Sequence, residues 1–223
     1  MNAIVNLSTP KYYRAQNRLK KSLENYGDIN WAFFKSEHEV GAPLHADNPY
    51  AFKVYALELM CNMRSDTVLW LDSSCYAVAD PAPIFNIIET KGYFMEEAGH
   101  VAGKWANDNC LSYFNLTRDE AMEIPMYSAG FTGLNFNSYI GNEFFKHWKQ
   151  AMIDGAFKGA WTNKNNSESQ DPRCEGHRHD MVCASIIAHK LGMTFEKGGS
   201  YFQYAAPSDP VAHDKIIFKL QGI

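Results

Sequence analysis

The sequence lacks several features that would place the protein in a specialised class. Its five cysteines, at positions 61, 75, 110, 174 and 183, include no CxxC pair. An odd number of cysteines, mostly among apolar neighbours, is typical of reduced thiols in the cytosol rather than of a disulfide scaffold. No apolar run approaches the ~20 residues that a transmembrane helix needs. We therefore expect a soluble, cytoplasmic protein without a membrane span.

An excess of basic charge is also missing. Lys and Arg number 21 against 25 Asp and Glu, which gives a net charge of -4. Such a chain offers no broad positive face to nucleic acid or to an anionic membrane. It does contain 46% hydrophobic and 14% aromatic residues, enough for a sizeable core and for stacking surfaces in a ligand cleft. We expect one domain over residues 1–223.

Strands that alternate with helices are predicted along the first half of the chain. Residues 3–7 form an apolar strand that leads through the Ser8-Thr9-Pro10 turn into a helix, and Asn30–Phe34 is a second strand. Thr67–Leu71 is the clearest strand, because five strand-forming or apolar residues follow one another without alternation, as in a strand buried on both faces. The pattern predicts an α/β fold with a mostly parallel central sheet flanked by helices, and ligands at the carboxyl ends of its strands.

The second half of the chain carries clear helix signals. Thr117 and Glu120 have the spacing of a capping box, which predicts a helix start. Residues 159–176 are polar and poor in apolar side chains, which indicates a mobile loop. A helix is predicted from Asp180 to about Lys190.

An aspartate follows the clearest strand directly. Asp72 comes after Leu71 and precedes Ser73 and Ser74. At the carboxyl edge of a sheet, a carboxylate can ligate a hard divalent cation beside a diphosphate. The alternative is an aspartate that caps the turn through a backbone hydrogen bond.

A dense basic cluster precedes the last predicted helix. His177, Arg178 and His179 stand directly before Asp180. A histidine in this place coordinates a metal, binds a diphosphate or is simply solvated. Asp180 is suited either to the N-cap of its helix or to a site, where its carboxylate acts as a base or stabilises an oxocarbenium-like centre.

Three segments, in this order, resemble GT-A type glycosyltransferases of the nucleotide-diphospho-sugar transferase superfamily, in particular small phage or bacterial members. Residues 67–85 are similar to the DxD segment and the helix after it. Residues 128–136 are similar to the small-residue strand on the acceptor side, and residues 179–185 to the start of a later helix. The resemblance implies a Rossmann-like GT-A domain with residues 1–100 mainly on the donor side and 101–223 mainly on the acceptor side.

The resemblance also implies substrates and site residues. The donor is a nucleotide diphosphate sugar, most often a uridine one, and the sugar goes to a hydroxyl acceptor. Asp180 and His179 are the expected catalytic residues, and Asp72 with Ser74 would hold Mn2+ or Mg2+. Because the third position of the DxD segment is Ser74, one carboxylate remains and the metal affinity should be weaker. The expected donor-binding residues are Leu7, Ser8, Thr9, Lys53, Asp72, Ser73, Ser74 and Arg173, and the expected sugar pocket is Trp105, Tyr127, Gly130, Thr132 and Gly133.

Two other functions remain open at this stage. One is a metal-dependent hydrolase with His177, His179 and Asp180 as ligands, joined by His189 or His213. The other is a catalytically silent domain that binds a nucleotide sugar. The sequence does not name the acceptor, which is a glycan, a protein, a lipid or a modified DNA base.

Overall fold

The computed structural model describes residues 1–27, 29–205 and 215–222. The strands are β1 (Asn2–Leu7), β2 (Asn30–Phe34), β3 (Thr67–Leu71), β4 (Cys75–Ala77), β5 (Tyr93–Phe94), β6 (Glu97–Val101), β7 (Pro125–Tyr127), β8 (Phe131–Asn135), β9 (Phe202–Tyr204) and β10 (Phe218–Leu220). The α-helices are α1 (Tyr13–Leu23), α2 (Ala51–Asn62), α3 (Ala82–Lys91), α4 (Ala102–Trp105), α5 (Asp108–Phe114), α6 (Arg118–Met122), α7 (Tyr139–Ile153) and α8 (His179–Lys190). Short 3-10 helices span Pro10–Tyr12, Glu37–Val40 and Lys164–Asn166.

The central sheet has five strands in the order β2-β1-β3-β8-β5. The α/β architecture is confirmed, but the sheet is mixed rather than mostly parallel. Strand β1 pairs in parallel with β2 and β3, whereas β8 runs antiparallel to both β3 and β5. The amide of Asp72 donates to the carbonyl of Gly130 at 2.7 Å, and Phe131 then pairs with Leu71. Strand β8 thus starts where β3 ends, which makes the pair antiparallel.

Strand β3 is buried on both faces, as its unbroken apolar run predicted. Val68 and Trp70 pack on one side against α2, α7 and α8. Leu69 and Leu71 pack on the other side against α1 and α3. Successive strand residues point to opposite faces, so β3 joins two hydrophobic cores and holds its end rigidly.

A second sheet lies beside the end of β3. It has the order β4-β10-β9, and β6 pairs with β7 in a separate ribbon. The rings of Phe131 and Phe202 stack with centroids 3.6 Å apart, and Phe218 stacks on Phe202 at 5.0 Å. These rings fix the second sheet against β8 of the central sheet.

Of the helices predicted in the second half of the chain, α6 starts as predicted and α8 starts one residue earlier than predicted. The capping box of Thr117 and Glu120 is present at the start of α6. Helix α8 begins at His179, so Asp180 is its second residue rather than its N-cap. Within the loop of residues 159–176, the Asn163 side chain donates to the Ser169 carbonyl at 2.9 Å. Among the described residues, no helix is both long and apolar enough to cross a bilayer.

Candidate active site

A buried lysine connects two carboxylates at the carboxyl end of β3. The Lys53 ammonium lies 3.3 Å from Asp72 Oδ1 and 3.0 Å from Asp180 Oδ2, and it donates to the Ala129 carbonyl at 2.8 Å. The side chains of Lys53 and Asp180 are 3% and 4% exposed, whereas that of Asp72 is 37% exposed. We call Lys53, Asp72 and Asp180 the charged triad. It brings together residues that are far apart in the sequence.

Rigid elements hold each member of the triad. Asp72 follows β3, and its Oδ1 accepts a 2.8 Å hydrogen bond from Trp70 Nε1. Lys53 lies in the first turn of α2 and is buried against the sheet. Asp180 lies in the first turn of α8, and its carbonyl accepts from Trp148 Nε1 at 3.1 Å. His179 adopts φ 44°, a left-handed conformation that is uncommon for a residue other than glycine, immediately before Asp180.

Burial and ion pairing have opposite effects on the pKa of Asp180, and likewise on the pKa of Lys53. Burial raises the pKa of Asp180 to about 6, although the nearby Lys53 opposes the shift. Burial alone would lower the pKa of Lys53, but Asp180 and Asp72 outweigh it and raise the pKa. At neutral pH, therefore, Lys53 is charged and Asp180 is mostly ionised.

Two adjoining cavities open at the triad. The larger has a volume of about 740 Å³ and is lined by Lys53, Asp72 and Asp180 together with residues 96–100, 198–199 and 202–204. The smaller has a volume of about 520 Å³. Tyr50, Asp72 and Ser74 line both cavities, so one ligand can extend from one into the other. Both volumes are in the range of cofactor and small-molecule sites.

Most of the residues predicted for donor binding line the smaller cavity. Leu7, Ser8, Thr9 and Ser73 all lie on its wall. Among the described residues, Ser8 Oγ has no hydrogen-bond partner although it is buried, so it is available to a ligand. Ser73 Oγ is already engaged by the Asn6 side-chain amide at 3.1 Å.

Of the residues predicted for the sugar pocket, only some lie at the larger cavity. Gly130 lies on the wall of the larger cavity. Tyr127 and Thr132 are fully buried behind it, where Thr132 Oγ1 donates to the Tyr127 hydroxyl at 3.3 Å. Gly133 faces the core, because a Cβ there would lie 2.5 Å from Ile88 Cδ1. Strand β8 is buried on both faces here, so Thr132 and Gly133 both pack in the interior and neither lines a cavity.

Three further predicted residues lie away from both cavity walls. Trp105 packs its ring on the Arg178 guanidinium at 3.8 Å. His179 is 5% exposed, and its Nδ1 is 3.0 Å from the Phe157 carbonyl. Arg173 is paired with Asp119 and Asp171, each at 2.7 Å, on the outer side of its loop. None of the three lines either cavity, although Trp105 Nε1 is buried without a hydrogen-bond partner among the described residues.

The donor atoms at Asp72 do not fit a preformed divalent-cation site. Asp72 Oδ1 already accepts from Trp70, and the Lys53 ammonium occupies the position beside it. Ser74 supplies a hydroxyl where a second carboxylate would be expected. In the part of the chain that the structure describes, no group of three His, Cys, Asp or Glu residues is arranged to hold a metal. A cation there would be repelled by Lys53 and would have one carboxylate oxygen from the protein.

The ligand set proposed for a hydrolase is also not assembled. His177 Nδ1 accepts the Asn107 amide at 3.3 Å, and its Nε2 is 3.0 Å from the Ala156 carbonyl. With both ring nitrogens engaged, His177 has no lone pair left for a metal. Burial and the neighbouring His179 lower the pKa of His177 to about 3, which fits a neutral structural histidine. His189 lies in the last turn of α8, and His213 lies outside the described residues.

Several residues that line the larger cavity were not among the predicted site residues. Tyr50, Trp161 and Arg178 line it close to Asp180, and Glu96 lines it from the segment before β6. Glu96 is 1% exposed and accepts the amides of Ser200 and Tyr201 at 2.9 and 3.2 Å. Burial raises its pKa to about 7. Arg178 belongs to the basic cluster before Asp180, but no local pattern marks Tyr50, Trp161 or Glu96, because their neighbours at the cavity come from distant parts of the chain.

Comparison with known proteins supports the fold. No protein-family model matches the chain, and no curated protein sequence matches it. Among solved structures, it resembles the apo structure of WbbM, described as a bifunctional glycosyltransferase, with a TM-score of 0.53 and 11% identity. The match covers 91% of this chain and 40% of the WbbM chain. At this identity the likeness shows a shared fold, and the chain spans about two fifths of that structure's length.

Proposed function

We propose that the protein is a glycosyltransferase that moves a sugar from a nucleotide diphosphate sugar, with UDP-sugars as the first candidates, to a hydroxyl group. One observation carries the proposal: the Lys53 ammonium holds Asp72 and Asp180 together where two ligand-sized cavities meet. The fold shared with WbbM is consistent with it.

The smaller cavity is suited to the nucleoside. Its wall combines Tyr12 and Phe52, which offer faces to a base, with the unpartnered hydroxyl of Ser8. Asp72 lies at its boundary with the larger cavity, where a ribose hydroxyl can donate to the carboxylate. The sugar and the acceptor would then occupy the larger cavity, against the bare backbone of Gly130.

Asp180 is the proposed catalytic carboxylate. In the transfer, the acceptor oxygen forms a bond to the anomeric carbon while the bond from that carbon to the diphosphate oxygen breaks. The bonding electrons leave with the diphosphate, and the acceptor's hydroxyl proton passes to Asp180. A carboxylate with a pKa of about 6 is ionised at neutral pH and basic enough to take part in this proton transfer. No step is assigned to a divalent cation, because the donor atoms around Asp72 do not fit one.

Donor binding tests the proposal directly. Thermal unfolding of the purified protein should be followed with UDP-, GDP-, TDP- and CMP-sugars, with and without Mn2+. We expect at least one of them to raise the melting temperature, because a ligand that binds only the folded state stabilises it. Asp72→Asn should reduce that shift while the unliganded protein keeps its fold.

Turnover is measured separately, as release of the nucleoside diphosphate in the presence of candidate glycan, protein, lipid and DNA acceptors. If no nucleotide sugar produces a shift under either metal condition, the proposal is wrong. A shift without any release would instead indicate a domain that binds the donor and is catalytically silent.

A further inference from the structure

Two tryptophans enclose an arginine at the larger cavity. The Arg178 guanidinium lies 3.8 Å from the ring centroid of Trp105 and 3.7 Å from that of Trp161. A guanidinium is planar and weakly hydrated on its faces, so stacking covers the faces and leaves the N–H edge as the polar part. The two rings therefore hold the edge of Arg178 in a fixed orientation.

This edge has no partner within the protein. Across residues 1–27, 29–205 and 215–222, no hydrogen bond or ion pair engages the Arg178 side chain, and its Nη1 is buried without an acceptor. A buried donor without an acceptor destabilises the protein, so such groups are usually paired. Arg178 lines the larger cavity beside Asp180, and Trp161 is 51% exposed there. A ligand in this cavity would meet the Arg178 side chain, which has no hydrogen-bond acceptor of its own among the described residues.

Lys53, a second cation on the wall of this cavity, cannot serve the same purpose without losing existing contacts. Its ammonium already donates to the Ala129 carbonyl and lies within ion-pair distance of Asp72 and Asp180. A phosphate drawn to this ammonium would compete with two carboxylates that already lie within 3.3 Å of it. Arg178 is thus the cation of the cavity wall whose donors are unused.

We propose that Arg178 binds the diphosphate of the donor, with its unpaired N–H edge directed at the phosphate oxygens and its faces held by Trp105 and Trp161. This inference rests on the proposed function. A guanidinium offers paired donors that match two oxygens of a phosphate, and its charge balances the negative charge that accumulates on the leaving diphosphate. The positive charge at the diphosphate would thus come from Arg178, because the Asp72-Ser73-Ser74 segment does not form a site for a divalent cation.

Calorimetric titration with nucleotides that differ in phosphate number tests this role. UDP, UMP and uridine should be titrated into the wild type, Arg178→Lys, Arg178→Ala and Arg173→Ala, all in EDTA. We expect Arg178→Ala to weaken UDP binding by about 10- to 100-fold, as for the loss of a charged hydrogen bond, and uridine binding by less than about twofold. Arg178→Lys should fall between the two, because lysine keeps the charge but not the paired, stacked geometry. Arg173→Ala should bind UDP as the wild type does, since Arg173 pairs with Asp119 and Asp171.

The outcomes separate this inference from the proposed function. Equal UDP affinity in the wild type and Arg178→Ala overturns the assignment and points to an anionic acceptor or to a packing role. An equal loss for UDP and uridine also overturns it, because the effect would then not depend on the phosphates. UDP binding that needs Mn2+ and ignores the Arg178 substitutions overturns it while the proposed function stands. If the wild type binds no nucleotide or nucleotide sugar, both are wrong.

Discussion

The ammonium of Lys53 lies 3.0 Å from the carboxylate of Asp180, and both side chains are almost fully buried. Neither residue is stable there as an isolated charge, because burial without a partner strongly disfavours an ionised group. The pair therefore stabilises the fold and at the same time keeps a charged carboxylate at the cavity. Predictions about stability and about activity both follow from this contact.

Removal of Lys53 should destabilise the protein in a pH-dependent way. Lys53→Met leaves Asp180 buried without its counter-charge, and we expect a loss of about 3–5 kcal/mol in the free energy of unfolding at pH 8. At pH 5, Asp180 can protonate, so the loss should be smaller. Urea denaturation at both pH values measures this.

A double substitution measures the interaction between Lys53 and Asp180 apart from the contacts that each makes with other residues. Lys53→Met with Asp180→Asn should cost less than the sum of the two single changes, because the second change removes the charge that the first leaves unpaired. Lys104→Met is the control. Lys104 is 46% exposed and pairs with Glu175, so its loss should alter stability by less than about 1 kcal/mol. Strict additivity of the Lys53 and Asp180 substitutions would contradict the proposed coupling.

Two glycines of the same segment should respond in opposite ways to alanine. A Cβ at Gly130 would meet Asp72 Oδ2 at 3.5 Å, an ordinary contact, so Gly130→Ala should change stability by less than about 1 kcal/mol. It should nevertheless weaken donor binding, because the added methyl group projects into the cavity that the sugar would occupy. At Gly133, a Cβ would lie 2.5 Å from Ile88 Cδ1 and 2.9 Å from Phe94 Cβ, so Gly133→Ala should cost about 1–3 kcal/mol.

Thermal unfolding with and without the nucleotide sugar distinguishes these two effects. Gly130→Ala should keep the melting temperature of the unliganded protein and lose part of the ligand-induced shift. Gly133→Ala should show the reverse. A Gly130→Ala variant with a full ligand shift would mean that the sugar does not approach this strand.

Glu96 should make the fold less stable as the pH rises. Its pKa is raised from 4.5 to about 7 by burial, so the folded state favours the protonated form. The stabilisation is complete below pH 4.5 and is lost as the pH rises through 7. Glu96→Gln is neutral at every pH and keeps one acceptor oxygen, for the amide of either Ser200 or Tyr201, so its stability should vary less between pH 5 and 7.5 than that of the wild type. The pKa of Asp180 is likewise raised on folding, from 3.8 to about 6, so Asp180 also makes the fold less stable as the pH rises. This contribution to the pH dependence should persist in Glu96→Gln. Equal pH profiles would exclude Glu96 as a titrating group.

Transfer activity should rise with pH through about 6. Asp180 must be ionised to accept the proton, and burial sets its pKa near this value. Asp180→Asn should lower kcat by at least about 100-fold, in line with the loss of a positioned acid–base group. Glu96→Gln should keep the acidic limb of the profile, which shows that the limb belongs to Asp180. A limb that moves with the Glu96 substitution would assign the titration to Glu96 instead.

Local patterns in the sequence predicted some parts of the structure well. The uninterrupted run of β3 indicated a strand buried on both faces, and Thr117 with Glu120 indicated the start of α6. Both are effects between residues close in the chain. The direction of β8 was not predictable in this way, because burial patterns specify which residues face a core and not how two strands run relative to each other. The sheet is mixed because β8 runs antiparallel to its two neighbours, β3 and β5, and the sequence pattern does not specify this direction.

The sequence predicted those site residues that lie next to the end of a strand or the start of a helix. It did not predict those whose role depends on contacts with distant parts of the chain. Asp72 and Asp180 each stand beside a strand or helix terminus, which is visible in the sequence. The stacking of Arg178 between two tryptophans and the burial of Glu96 depend on residues from separate loops. His179 was expected at the site because it is next to Asp180, yet a left-handed turn at His179 directs its ring into the interior.

The stacked phenylalanines give the end of the chain a role in the cavity. Phe202 from β9 and Leu220 from β10 line its wall, and the stack with Phe131 anchors them there. All three residues of the charged triad precede β9 in the chain. One wall of the cleft is therefore supplied by strands that contribute no member of the triad, so a change in β9 or β10 can alter the shape of the cavity while the charges at its base stay in place.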